Sequence, residues 1–140
     1  MERVRLAREI VAAYLQARRE LRRAPIESVV AALRAEASPA PLTPGPHELE
    51  EARRLGWTVA RTLKLMPGDT RCLARSLVLT RLLARRGIPA KLVIGAQVDP
   101  EFFAHAWVEY DGQPVLSSGD GLFGRLVELR AGSGRRVVSP

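Results

Sequence analysis

The stretch CLARSLVLTRLLARRGIPAKLVIGAQ, Cys72 to Gln97, decides how the rest of the chain is read. With the two residues before it, it predicts a helix from Thr70 to Arg86. Gly87 closes that helix in the position just past its end, and Pro89 prevents continuation. Ala90 to Gln97 (AKLVIGAQ) then predicts a strand. Ala104 to Tyr110 (AHAWVEY) predicts another, and Asp111-Gly112 is a hairpin signal leading to a third, Pro114 to Ser118. Leu122 to Leu129 reads as a fourth strand or a short helix. The last ten residues, AGSGRRVVSP, form a tail expected to fray.

The N-terminal half is helical. Residues 2–23 are amphipathic, with Val4, Ala7, Val11, Tyr14 and Leu21 expected on one buried stripe. Pro25 suits the first turn of a second helix whose Ile26, Val29, Val30 and Leu33 share a face. SPAPLTPGP, Ser38 to Pro46, is a linker, because four prolines forbid a regular hydrogen-bonded backbone. A third helix is expected from His47 to Leu65, burying Leu49, Ala52, Gly56, Val59, Ala60 and Leu63, with His47 only a helix-start residue. The fold class is therefore α+β: N-terminal helices, then a central helix with a cysteine at its N-terminus packed on a small antiparallel sheet. The organisation is a single domain over 1–140, divided into helices (1–37), linker (38–46), core (47–130) and tail (131–140).

Composition excludes several function classes. The chain has 140 residues, one cysteine and two histidines far apart. That leaves no disulfide framework and argues against a structural metal site, so neither a metal nor another cofactor is expected. No apolar run approaches the length of a membrane span. Charges interrupt the N-terminus where a signal peptide needs its apolar core, which points to the cytoplasm. The net charge is +7 and the pI near 10.9. A positive field favours acidic partners, but the arginines are spread along the helices and no stacking platform is visible, so nucleic acid is not the expected partner.

A lone cysteine is ordinarily a small buried hydrophobe. Cys72 is singled out by its place, two or three residues after a plausible N-cap, Asp69 or Thr70. The helix macrodipole and its unpaired N–H groups favour an anion there, and Arg71 and Arg75 act in the same sense, so the thiolate is favoured. The base comes from chain geometry. The helix carries the chain roughly 22 Å away at 1.5 Å per residue. The following strand returns it roughly 25 Å at about 3.3 Å per residue. His105, opening the next strand, should therefore lie near the Cys72 end, giving a nucleophile with its base.

For the third residue, Asp111 lies at the far hairpin tip and is a turn residue. A two-residue or four-residue turn puts Asp120 on the His105 face, whereas a three-residue turn puts Ser117 there. Trp57 and Trp107 are expected in the core, although Trp107 shares the parity of His105 and could flank the site. The Cys72 N–H is a natural oxyanion donor, and an exposed sheet edge could take an extended substrate as an added strand.

The Cys72–Gln97 run followed by AHAWVEYDGQPV, Ala104 to Val115, resembles the transglutaminase-like cysteine peptidases of lasso-peptide biosynthesis, the C-terminal domains of the B proteins. The resemblance implies a papain/transglutaminase-like fold and a Cys–His–Asp triad. It also implies removal of the leader from a ribosomally made precursor, so that a partner cyclase can close a macrolactam ring. Cys72 carries over as nucleophile and His105 as base. Ser117 stands where relatives often place the acid, so the triad needs Asp120 from a longer return or is incomplete. The N-terminal helices leave no room for a β-rich recognition module, which resembles the split arrangement with a separate leader-recognition protein. The alternatives are an acyltransferase using the same pair, or a non-catalytic scaffold docking precursor and cyclase.

Overall fold

A computed structural model describes residues 2–33, 46–65, 72–97, 103–116, 124–130 and 136–137. The expected linker (except Pro46), Asp69, Thr70, Arg71, Ser117 and Asp120 lie outside those residues. Four helices precede five strands: α1 (Glu2–Arg23), α2 (Ile26–Ala32), α3 (Pro46–Lys64), α4 (Cys72–Arg85), β1 (Lys91–Gln97), β2 (Phe103–Tyr110), β3 (Gln113–Leu116), β4 (Gly124–Arg130) and β5 (Arg136–Val137). Pro46, assigned to the linker from sequence, is instead the first residue of α3, where its missing N–H leaves no helical bond unmade.

The helix that orders the fold is α4. It ends as its glycine predicts: Gly87 has φ 76°, its N–H donates to Ala84 O at 3.0 Å, and the Ile88 N–H donates to Leu83 O at 2.9 Å. Ile88 and Leu83 are both buried in the core, completing the apolar contact that accompanies this helix stop. The chain then turns directly into β1.

The sheet is antiparallel throughout, in the order β3-β2-β1-β4-β5. Asp111 and Gly112 both have positive φ, 52° and 74°, the backbone of a two-residue hairpin turn matched to strand twist. The segment left open between strand and helix is the strand β4, paired with β1. Part of the expected fraying tail is likewise a strand: Val137 pairs with Val127 and Arg136 with Glu128. Backbone groups on the outer rim of β4 find partners this way.

One face of the sheet closes the helical core. Leu92 and Ile94 of β1, Val108 and Tyr110 of β2 and Val115 of β3 pack with the buried sides of α1, α3 and α4. α3 approaches β3 at Gly56, where an added Cβ would stand 1.9 Å from the Val115 carbonyl oxygen. The α1 stripe overlaps the expected one at Tyr14, with Leu21 also packed on the core, but is otherwise rotated from it. Ile10, Ala13, Tyr14 and Ala17 are buried, while Val4 is 57% exposed. In this orientation Glu20 meets Arg81, and Glu9 meets Arg85 and Arg86, all in or just beyond α4. Leu55 joins the buried side of α3, where Leu49 and Ala60 are only partly covered.

Candidate active site

Cys72 is the first residue of α4, so its backbone N–H is among those with no acceptor inside the helix. The helix dipole places partial positive charge at this end. Arg75, also expected to bias the site electrostatically, lies in the next positions of the same helix and is half-buried, its Nε lacking a hydrogen-bond partner. One turn from Cys72, Ser76 is fully buried with its hydroxyl unpartnered.

His105 is the third residue of β2, half-buried, and lies opposite Gly95 near the end of β1. Its imidazole stacks on Trp107, with ring centroids 6.1 Å apart and planes 24° from parallel. The Trp107 indole Nε1–H donates to Glu109 Oε2 at 2.8 Å. Trp107 and Glu109 are each only 4% exposed. His105, Trp107 and Glu109 thus share one face of β2, while Val108 and Tyr110 on the other enter the helical core. Sequence reasoning missed Glu109. The alternation of His, Trp and Glu with Ala, Val and Tyr was its signal, but a face carrying His and Glu reads as solvated when it is in fact covered.

Asp111 is an exposed turn residue, as expected, and His47 is an exposed residue at the start of α3. Trp107 is buried, but Trp57 is not in the core. It is 61% exposed, with the Arg61 guanidinium 4.6 Å from its ring centroid. It sits one position from Gly56, about 100° around the helix from the buried stripe.

The hairpin register carries a further correction. Tyr110 pairs with Gln113 and Glu109 with Pro114, but Val108 pairs with Leu116, so Val115 is a bulge residue. Past this bulge the parity count that favoured Asp120 is reversed and favours Ser117. β4 begins at Gly124 opposite Ala96, the residue after the Gly95 that faces His105.

Tyr110, buried on the core side of β2, has its phenol pushed above the usual range by burial first and then by the carboxylates of Glu48 and Asp111. Among the described residues no group of three His, Cys, Asp or Glu side chains could hold a metal ion. No described helix is long and apolar enough to cross a membrane.

Residues 5–127 match the model of the transglutaminase-like superfamily. The chain belongs to that superfamily. The α+β architecture, with a cysteine opening the helix that precedes the antiparallel sheet, is consistent with the assignment. A stretch of 44 residues in this transglutaminase-like chain is 48% identical to the microcin J25-processing protein McjB of Escherichia coli. The match covers 31% of the chain and 21% of that relative, so the chain spans about a fifth of the length of the curated protein it matches. No solved structure matches the chain.

Proposed function

We propose that this transglutaminase-like chain is a cysteine peptidase that removes the leader from a ribosomally synthesised lasso-peptide precursor. Cys72 is the nucleophile and His105 the general base. The observation that carries the reading is that Cys72 opens α4 and His105 stands near the start of β2, in a superfamily member similar over part of its length to a peptide-processing protein. In this reading the thiol of Cys72 reaches the imidazole at the rim of the sheet, beside the Gly95–His105 rung.

His105 takes the Cys72 proton as the sulfur attacks the carbonyl at the leader–core junction. The Cys72 N–H stabilises the resulting oxyanion. The C–N bond then breaks, His105 returns the proton to the leaving amine, and the leader remains as a thioester on Cys72. Water attacks that thioester, breaking the S–C bond and restoring the thiol. Asp120 orients the imidazole, with Ser117 as the competing residue. Supporting Asp120 is its place four residues before Gly124, where β4 joins the sheet next to the His105 rung. The sheet edges β3 and β5 are the places where an extended substrate could add. A separate recognition protein and a cyclase complete the system in the cytoplasm, where the precursor is made.

The test is cleavage of a lasso-peptide precursor by this chain, read by mass spectrometry. Cys72→Ala is expected to abolish cleavage without changing the melting curve, and undiminished cleavage by that variant overturns the reading. The product mass identifies the chemistry: gain of water marks hydrolysis, and an amine adduct marks acyl transfer. Asp120→Asn is expected to slow turnover strongly; an effect confined to Ser117 variants would move the third role to that residue.

A further inference from the structure

The covered face of β2 holds a carboxylate, Glu109, which stands opposite Lys91 of β1 in the ladder. Glu109 is almost completely buried in a strand where a β-branched apolar residue would pack without desolvating a charge. One of its oxygens accepts the indole N–H of Trp107, so the ring is tethered at its polar edge. The flat side of that ring lies against the imidazole of His105. Across the ladder from His105 stands Gly95, which offers no side chain, so the cross-strand neighbour on β1 contributes no such wall.

We propose that Trp107 and Glu109 act as positioning residues for His105. The proposal rests on the peptidase reading above and deepens it. Glu109 fixes the indole plane, and the indole then fixes the plane of the imidazole. When His105 takes the thiol proton it becomes a cation, and an aromatic face about 6 Å from a cation attracts it. A carboxylate accepting the indole N–H strengthens that hydrogen bond and leaves the ring more electron-rich. The pair thereby shares the task of holding and stabilising the imidazolium, which is otherwise left to the third triad residue.

The chain has two histidines, which makes the test direct. In proton NMR, His47, exposed on α3, serves as the internal reference. The His105 ring protons are expected to carry a ring-current shift that those of His47 lack. Glu109→Leu removes the tether, and its His105 signal is expected to broaden and move toward the His47 position. Its kcat for precursor cleavage should fall about tenfold with KM unchanged, because misorientation affects the reacting geometry and not substrate binding. Glu109→Gln keeps an acceptor oxygen and should retain the ring-current shift and most of the rate. Trp107→Phe loses the N–H and should follow Glu109→Leu.

A Glu109→Leu protein with an unchanged His105 signal overturns the proposal, as does a moved signal with unchanged kcat. If Glu109→Leu does not fold, Trp107→Phe is judged by the same two outcomes. Cleavage by Cys72→Ala would sink the peptidase reading itself. If Cys72→Ala is inert while these variants match wild type in both measurements, the positioning role alone fails.

Discussion

Arg81, in the middle of α4, lays both terminal nitrogens of its guanidinium on the carboxylate of Glu20 near the end of α1, at 2.7 and 2.8 Å. The arginine is 1% exposed and the glutamate 26%. This two-pronged contact fixes the rotation and register of α1 against the helix that carries Cys72.

Removing one partner should therefore weaken the fold more than an exposed ion pair would. Glu20→Ala removes the carboxylate that receives both terminal nitrogens of a buried guanidinium, and the expected loss is about 2–4 kcal/mol, somewhat less than for a fully buried pair because Glu20 retains contact with water. Urea denaturation measures it. The double change Arg81→Met with Glu20→Leu should recover most of the loss, and failure to do so would point to hydrogen bonding beyond the pair.

Gly56 permits the contact between α3 and β3. An alanine there would drive its methyl into the Val115 carbonyl oxygen, and backbone on both sides must move to relieve it. Gly56→Ala should destabilise by about 2–3 kcal/mol, at the upper end of ordinary overpacking. The helix-propensity gain of alanine opposes this by only about 1 kcal/mol. A midpoint equal to or above that of the wild type would contradict the close approach.

Ser76 presents the reverse case. Its hydroxyl is buried and makes no hydrogen bond, so folding strips it of water without compensation. Ser76→Ala should leave stability unchanged or raise it by up to about 1 kcal/mol. A melting temperature several degrees lower would show that the hydroxyl has a partner in solution.

Tyr110 gives the pH dependence a definite sign. Its folded-state value is raised above 10.0, by burial and then by Glu48 and Asp111. The unfolded chain therefore ionises first as pH rises past 10. The contribution of Tyr110 is fully present below that pH and is lost as pH climbs toward the folded value. Thermal melts on the alkaline side should show a decline that Tyr110→Phe reduces, with the unaltered slope in that variant being the contrary result.

The elements that the sequence made legible are those with local causes. Gly87 and Pro89 mark the end of α4, Asp111-Gly112 marks the hairpin, and the Val29-Val30-Leu33 face of α2 is buried as its spacing implies. What the sequence concealed depended on partners distant along the chain. Val4, Ala7, Val11, Tyr14 and Leu21 have helical spacing, but α1 meets α4 through an overlapping stripe that buries Ile10, Ala13, Tyr14 and Ala17 and leaves Val4 exposed. Trp57 has the bulk of a core residue, yet α3 meets β3 through Gly56, which turns Trp57 outward. At the site, the helix that Cys72 opens and the strand that carries His105 were legible from local pattern. The Val115 bulge was not, because it adds a residue that no turn motif announces, and it undid the parity count behind the choice of acid. The buried Glu109 was hidden for a related reason: alternation assigns faces but does not say what covers them.

The position of β4 has a consequence for biogenesis. β1 lies at the centre of the sheet, but its second neighbour arrives only after the β1–β3 hairpins have been made. Until then one flank of β1 displays a row of unpaired amides and carbonyls, a template for any extended chain nearby. A protein shortened to end at Leu116 should therefore sediment as aggregates, whereas the whole chain sediments as discrete particles. Pairing of β4 with β1 covers that flank.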